Sequence, residues 1–254
     1  MVGVPGSLWR IDTAHGEMSK LTEGPDDSDP RLAADGRTVL YGGTYGDRRG
    51  LDRISLDSGA RTRLYQPPDE PQAAGNPLTR LLLHDWSRDG RMALVDITGF
   101  HREISAVTLA DGRQQVVIRS SGHPDQARFS PDGKWIAYND RESGRFEVFV
   151  VPFPPPGERW QISPSGGIQP EWRGDGRELF FLDALGNLMA VDVRPTGRFE
   201  AGSPRVLFRT RLDGNSDIEE YRVTTDGQRF LLRVPIGRSV HTTLVPNWPA
   251  LLKQ

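Results

Sequence analysis

The residue types that most often do chemistry are present in this sequence, but their spacing matches no catalytic or metal-binding motif. Five histidines are present, and none belongs to a His-Glu-x-x-His pair: His15, His84, His101, His123 and His241. Cysteine is absent, which excludes a cysteine nucleophile, zinc–thiolate ligands and disulfides. No Gly-x-Ser-x-Gly pentapeptide marks a serine nucleophile. We therefore expect no catalytic residue, no metal site and no cofactor.

One acidic loop imitates part of a calcium site. Residues 213–217, Asp-Gly-Asn-Ser-Asp, alternate oxygen-bearing side chains as a calcium-binding loop does. The EF-hand pattern then requires a glycine where Ile218 stands and a glutamate where Thr224 stands. A solvated acidic loop is the simpler interpretation.

Composition limits the partners. The 254 residues carry 32 Lys and Arg against 34 Asp and Glu, so no basic excess draws the chain to nucleic acid or anionic lipid. No apolar run reaches the roughly 20 residues that a membrane helix needs. The first residues lack the basic and apolar regions of a secretory signal. Either the protein is cytoplasmic or the chain belongs to a longer one whose targeting segment lies elsewhere.

Five Asp-Gly pairs set the organisation of the chain. Their aspartates, which are 54, 43, 43 and 51 residues apart, are Asp35, Asp89, Asp132, Asp175 and Asp226. The third residue before each aspartate is apolar, and so are the fourth and sixth residues after it. Each pair therefore predicts a tight turn between two strands that alternate buried and exposed positions.

A repeat of about 40–50 residues with several short strands is typical of a β-propeller. We predict an all-β chain, a single domain over residues 1–254, with four-stranded antiparallel blades. The alternative is a β-sandwich of unrelated hairpins. Strands predicted within 7–22 complete the last blade, giving five blades, or begin a blade of their own, giving six. One helical turn is predicted in the tail, 249–254.

The repeats carry a family resemblance. The run Phe129-Ser-Pro-Asp-Gly-Lys-Trp-Ile-Ala-Tyr138 resembles the repeat of TolB-like, WD-type propellers. Over 125–254 the chain resembles the C-terminal propeller of bacterial serine/threonine protein kinases, in segments such as 147–154, 169–172, 176–181 and the ending 247–249. The chain itself has no Gly-rich phosphate loop, His-Arg-Asp loop or Asp-Phe-Gly motif, so any kinase would lie on another part of a longer protein.

Propeller geometry predicts a partner-binding face at the strand ends opposite the Asp-Gly turns. The residues at the starts of the inner strands are Asp29, His84, Gln126, Gln169 and Glu220. The neighbouring loops carry Tyr45, Phe100, His101, Arg102, Arg141, Glu142 and Arg145. A polar rim with a few aromatics is suited to gripping a peptide or a protein loop, with a small ligand at the channel mouth as a further option. A hydrated rim without a partner is the competing interpretation.

The favoured function is a non-catalytic, monomeric scaffold for protein or ligand interaction, the sensory or interaction module of a bacterial signalling protein. The resemblance leaves two alternatives. One is a Tol-like cell-envelope component that binds a partner protein. The other is the propeller gate of a prolyl-oligopeptidase-type peptidase without its catalytic domain. Attachment to a membrane kinase or a Tol-like role would place the chain in the periplasm.

Overall fold

The computed structural model describes residues 2–4, 6–12, 15–24, 26–45, 48–67, 81–97, 102–194, 197–212, 214, 219–236 and 239–245. Within these ranges the chain forms strands and turns and no helix. Accordingly, no helix in the described part of the chain has the length and apolar character needed to cross a membrane. The chain divides into two compact units, Met1–Arg119 and Ser120–Gln254.

The first unit contains three antiparallel sheets. The first has the order β1-β2-β3 and comprises β1 (Val2–Val4), β2 (Ser7–Ile11) and β3 (Met18–Lys20). The second comprises β4 (Ser28–Leu32), β5 (Thr38–Tyr45), β6 (Arg48–Ser55) and β7 (Arg61–Tyr65) in that order. The third comprises β8 (Leu82–Trp86), β9 (Met92–Asp96), β10 (Glu103–Thr108) and β11 (Gln114–Arg119).

The second unit also contains three antiparallel sheets. The first comprises β12 (Asp125–Phe129), β13 (Trp135–Asp140), β14 (Glu147–Pro152) and β15 (Trp160–Gln161). The next comprises β16 (Ile168–Trp172), β17 (Glu178–Leu182) and β18 (Asn187–Arg194), whose outer edge pairs with both β19 (Glu200–Ala201) and β20 (Arg205–Arg209). The last comprises β21 (Tyr221–Val223), β22 (Phe230–Ile236) and β23 (Ser239–Val245).

Each Asp-Gly pair closes an inner hairpin, as predicted. At the central turn, Asp132 Oδ1 accepts hydrogen bonds from Lys134 N at 3.1 Å and Ser130 Oγ at 2.6 Å. The glycine after the aspartate has a positive φ of 69°, which a residue with a Cβ adopts at a cost. The other four glycines of these pairs have φ between 68° and 72°, so the five turns share one conformation.

The core lies between neighbouring sheets because successive strand residues point to opposite faces. Phe181 packs with Trp135 and Trp172 on one side of its sheet. The preceding residue, Phe180, packs on the other side with Tyr221 and Phe230, whose ring centroid is 5.2 Å away. Phe180 and Phe181 therefore fill the spaces on the two faces of one sheet.

The strand pattern bears on the number of blades, which the sequence left at five or six. Strands β1–β3 pair with one another in a sheet of their own, and with the other five sheets this gives six among the described residues. This arrangement favours a separate N-terminal blade over one that only completes the last sheet. The helical turn predicted for 249–254 lies outside the described residues.

Candidate functional site

Three residues at the predicted face have an unusual backbone. Asp29, Gln126 and Gln169 stand six residues before their repeat aspartates and have φ of 53°, 52° and 58°. These left-handed conformations are uncommon for residues other than glycine. Each lies inside a shift of register between the two inner strands, at 28–31, 125–128 and 168–171. The bulge re-aims the start of the strand, and it recurs because it is part of the blade.

The glutamine side chains link one blade of the second unit to the next. Gln126 Oε1 accepts a hydrogen bond from Gln169 N at 3.1 Å, and Asn139 Oδ1 accepts from the same N–H at 3.2 Å. One blade further on, Gln169 Oε1 accepts from Glu220 N at 2.7 Å, and Gln169 Nε2 donates to Glu220 Oε2 at 3.2 Å. Tyr221 completes the link by donating its hydroxyl to Gln169 O at 2.7 Å.

The residues at the starts of the inner strands were predicted to form an exposed polar rim, but most of them are buried. Gln126 is 5% exposed, Gln169 3%, Glu220 3% and, in the first unit, His84 3%. Asp29 is half-buried, and its carboxylate accepts a hydrogen bond from Ser28 Oγ at 2.8 Å. The other four side chains are therefore buried within their units, where polar groups are normally hydrogen-bonded to protein and not to bulk water. Their part in partner binding stays a prediction, and it would have to be indirect.

The Gln169 link predicts a specific order of stabilities. Replacing Gln169 by alanine is expected to lower the free energy of unfolding by about 1–3 kcal/mol, because Glu220 N loses its buried acceptor. Replacement by glycine removes the same side chain but relieves the positive φ, so Gln169→Gly should be more stable than Gln169→Ala by about 1 kcal/mol. Urea unfolding of both variants measures the difference. Equal stabilities would show that the left-handed backbone imposes no strain at this position.

A buried charge cluster lies beside the glutamine links, and the sequence reasoning missed it. Arg128 is 6% exposed, and its guanidinium donates from Nε to Glu171 Oε1 at 2.9 Å and from Nη2 to Glu219. Arg222 contacts the same two carboxylates. In the first unit, Arg31 is also buried and donates to the carbonyls of His84 at 2.6 Å and Leu83 at 3.2 Å.

A sequence signal for this cluster exists. Counting four residues back from each repeat aspartate gives side chains that alternate in charge: Arg31, Asp85, Arg128, Glu171 and Arg222. Alternation at one strand position places opposite charges on successive sheets of the same unit, where they can pair. In the second unit, the contacts of Glu171 with both Arg128 and Arg222 show this pairing directly.

The exposed part of the predicted face in the second unit is the loop between β13 and β14. Asp140 Oδ1 accepts hydrogen bonds from Arg141 N and from His123 N, both at 2.7 Å. At the other end of the loop, the buried Glu147 carboxylate accepts from Ser143 Oγ at 2.9 Å and from Arg145 Nε at 3.0 Å. Two buried carboxylates thus hold both ends of the loop, while residues 141–145 are exposed.

The three predicted residues of this loop differ in how free their charges are. Arg145 also donates to Pro164 O at 2.6 Å, so it has a structural part. Glu142 pairs with Arg159 at 2.8 Å on the outer side of the sheet. The Arg141 guanidinium lies 5.4 Å from the centroid of the Phe146 ring and forms no ion pair with a described residue. Arg141 is therefore the charge of this loop that is most available to a partner.

The remaining predicted residues are placed only in part. Arg102 is exposed in the first unit. Tyr45 ends β5, where its backbone pairs with Arg48, and its side chain lies outside the description. Phe100 and His101 lie outside the described residues altogether. The described members of the twelve predicted residues fall in both units, and their grouping into one site stays a prediction.

A buried tyrosine underlies the exposed loop. Burial is the main reason that the pKa of Tyr138 rises to about 12, and the neighbouring carboxylates of Asp140 and Glu142 add to it. A hydrogen bond with Arg159 acts in the opposite direction. The phenol is therefore protonated, and hence uncharged, throughout the neutral pH range.

No metal centre can be assembled from the described residues. Within those ranges, no group of three or more histidine, aspartate or glutamate side chains is placed to hold an ion. Asp213 and residues 215–218 of the acidic loop lie outside the description.

Comparison with known proteins identifies the fold. No protein-family model matches the sequence, and no curated protein sequence matches it. Among solved structures, TolB from Acinetobacter baumannii superposes with a TM-score of 0.73 at 18% identity over 95% of this chain. TolB from Agrobacterium tumefaciens gives 0.61 at 17% identity over 80% of this chain and 76% of that one. An oligogalacturonate lyase in complex with manganese gives 0.58 at 15% identity over 95% and 82%.

These proteins resemble this chain in fold, while their sequence identities to it are only 15–18%. The chain spans 57% of the length of the A. baumannii TolB structure. The same fold also occurs in an enzyme, the lyase. Together with the repeated four-stranded antiparallel sheets, the comparisons show that this chain has the fold of the TolB-like β-propeller proteins.

Proposed function

We propose that the chain is a non-catalytic β-propeller that binds a protein or peptide through the face carrying residues 141–145. The observation that carries this proposal is that the buried polar side chains of that face make structural hydrogen bonds, while the residues of the loop are exposed. The carboxylates of Asp140 and Glu147 hold the ends of the loop, and the glutamines nearby link blades. What remains exposed is a short, charged loop whose two ends are held by hydrogen bonds to buried carboxylates.

Such a loop has the properties of a recognition element. Its backbone is ordered before any partner arrives, so less conformational entropy is lost on binding. Its charged side chains lie at the rim, where charge steers encounter and selects partners more than it adds affinity. The Arg141–Phe146 pair adds an arginine and an aromatic ring, two residue types that are enriched at interfaces.

Charge reversal at Arg141 tests the proposed face. Arg141→Glu is expected to weaken retention of a partner by roughly tenfold while leaving the free energy of unfolding unchanged, because the side chain is exposed. The matched control is Arg177→Glu, which reverses an exposed arginine beside an Asp-Gly turn. Proteins retained on each immobilised variant from a bacterial extract are compared by quantitative mass spectrometry.

Two outcomes would contradict this assignment. If Arg177→Glu loses the same proteins as Arg141→Glu, the binding face is not the one opposite the Asp-Gly turns. If neither variant changes retention, the loop takes no part in binding. Arg145→Glu is a poor choice for this test, because it would leave the buried Glu147 carboxylate without its arginine.

The biological setting is the second part of the proposal. The resemblance of 125–254 to kinase-attached propellers supports a sensory or interaction module of a bacterial signalling protein. The fold shared with TolB favours a Tol-like envelope component as the second candidate. Specific retention of a periplasmic lipoprotein would support the Tol-like role. Retention of signalling proteins would support the first.

Enzyme activity is the main competing proposal, because the oligogalacturonate lyase has the same fold. Peptide esters test for a peptidase, and oligogalacturonate with added manganese tests for a lyase. Turnover of either substrate by the purified chain, lost in a heat-denatured sample, would overturn the non-catalytic assignment.

A further inference from the structure

The charged loop, residues 141–145, meets two other loops of the second unit. Arg145 donates to Pro164 O at 2.6 Å, which joins residues 141–146 to the connection 163–167. Gly167 N donates to Phe146 O at 2.9 Å within the same junction. A methyl group built on Gly166 would lie 3.9 Å from the Cβ of Ala184, in the turn between β17 and β18. The three loops therefore form one continuous surface.

The turn between β17 and β18 presents an apolar side chain to solvent. Leu185 stands at its tip and is 75% exposed, the most exposed large apolar residue described. Single exposed leucines are common on proteins and by themselves indicate nothing. This one differs because Pro164, Ser165 and Ala184 beside it are also exposed and small or apolar.

The turn that carries Leu185 is held in place by hydrogen bonds. Asp183 Oδ1 accepts from Leu185 N and from Asn187 N, each at 2.8 Å, and its Oδ2 accepts from Asn187 Nδ2 at 2.8 Å. Gly186 has a φ of 76°, and its carbonyl accepts from Thr210 N at 2.9 Å and Thr210 Oγ1 at 2.6 Å. The leucine is therefore presented on a turn whose conformation is set in advance.

Charge on this surface is positive. Arg141 and Arg145 belong to the loop that contacts residues 163–167, and the exposed Arg211 follows the threonine that bonds the turn. The carboxylate of Asp183 is occupied within its own turn, and Glu142 pairs with Arg159. A complementary partner must supply an apolar side chain for the leucine and carboxylates for the arginines.

We propose that the surface formed by Arg141, Arg145, Pro164, Ala184 and Leu185 binds a protein segment in which an apolar residue is flanked by acidic residues. This inference rests on the proposed interaction function and specifies the chemistry of the partner. Leu185 acts as the anchor, since burying a rigidly placed apolar side chain gains contact area with little loss of entropy. Arg141, which forms no ion pair with a described residue, sets the orientation of the segment through charge-assisted hydrogen bonds to its carboxylates.

A random-peptide display library, selected on the immobilised full chain, is the probe. Enriched peptides are expected to combine Asp or Glu with Leu, Ile, Val, Phe or Trp. Synthetic copies should bind at least about tenfold more weakly to Leu185→Asp and to Arg141→Glu than to the unchanged chain. Their affinity should fall as salt is added, because exposed charge pairs are screened.

The matched control is Val206→Asp, which places the same new charge at an exposed apolar residue of β20. It should leave peptide binding unchanged. Leu185→Asp keeps every hydrogen bond described for the turn, because none involves the Leu185 side chain, so its thermal unfolding should match that of the unchanged chain.

The outcomes distinguish failure of the proposed partner chemistry from failure of the interaction function itself. Enriched peptides that are basic, or that bind Leu185→Asp as well as the unchanged chain, would overturn this inference and leave the interaction function standing. Failure to enrich any peptide would overturn both. Self-association of the chain that Leu185→Asp abolishes, without peptide enrichment, would assign the surface to a second copy and also overturn the inference.

Discussion

Arg128→Ala is expected to lower the free energy of unfolding by about 3–5 kcal/mol, the range for removing one partner of a buried ion pair. The variant leaves Glu171 and Glu219 beside each other, with Arg222 as the arginine that still contacts both carboxylates. Arg128 is the most buried member of the cluster, so water cannot replace it readily. Urea unfolding, followed by tryptophan fluorescence and by circular dichroism, measures the loss.

Two comparisons sharpen this result. Arg222→Ala removes the more exposed arginine of the same cluster and should cost less than Arg128→Ala, because solvent screens the charges that remain. Arg177→Ala removes an exposed arginine without a side-chain partner among the described residues and should change stability by less than about 0.5 kcal/mol. A loss for Arg128→Ala no larger than that of Arg177→Ala would mean that the cluster does not stabilise the second unit.

Phe199→Ala should produce a loss of similar size, about 3–5 kcal/mol, through a cavity rather than through charge. Phe199 is 2% exposed and packs against three tryptophans, with ring centroids at 5.2 Å from Trp135, 5.3 Å from Trp160 and 6.5 Å from Trp172. It lies outside the repeated hairpins, in the segment before β19. Its removal opens the space between two blades of the second unit.

The tryptophans provide the readout for this variant. Their emission should shift to longer wavelength even in the folded state, because water reaches indoles that Phe199 now covers. Phe199→Leu keeps most of the volume and should restore more than half of the lost stability. Leu185→Ala, at an exposed position, serves as the control. Native-state emission that is unchanged in Phe199→Ala would show that the neighbouring rings close over the gap.

The repeated hairpins could be predicted from the sequence because their determinants are local. Proline, aspartate and glycine set the turn within a few residues, and the period-2 alternation sets which side chains are buried. Phe180 and Phe181 illustrate this alternation, since these two adjacent strand residues pack on opposite sides of one sheet. Phe199 was missed because nothing local marks it as part of a core.

The candidate face was harder to predict, for a physical reason. The burial of Gln126 and Gln169 follows from a left-handed backbone and from a neighbouring blade that is 43 residues away in sequence. Composition near a loop cannot reveal either cause. The exposed charges at 141–145 were predictable because a short connection between paired strands reaches solvent. Leu185 was overlooked because its anchor role depends on loops from three separate parts of the chain.

The hydrogen bonds that link Gln126 and Gln169 to the next blade have a consequence for how blades can be duplicated or exchanged in evolution. Gln126 and Gln169 recognise a backbone N–H of the following blade, a group that every residue except proline possesses. The acceptor therefore tolerates glutamine in one successor and glutamate in the next. A blade copied or exchanged during gene duplication would keep this backbone hydrogen bond with any residue other than proline at that position. Drift in the sequences of the blades is then compatible with an unbroken series of junctions.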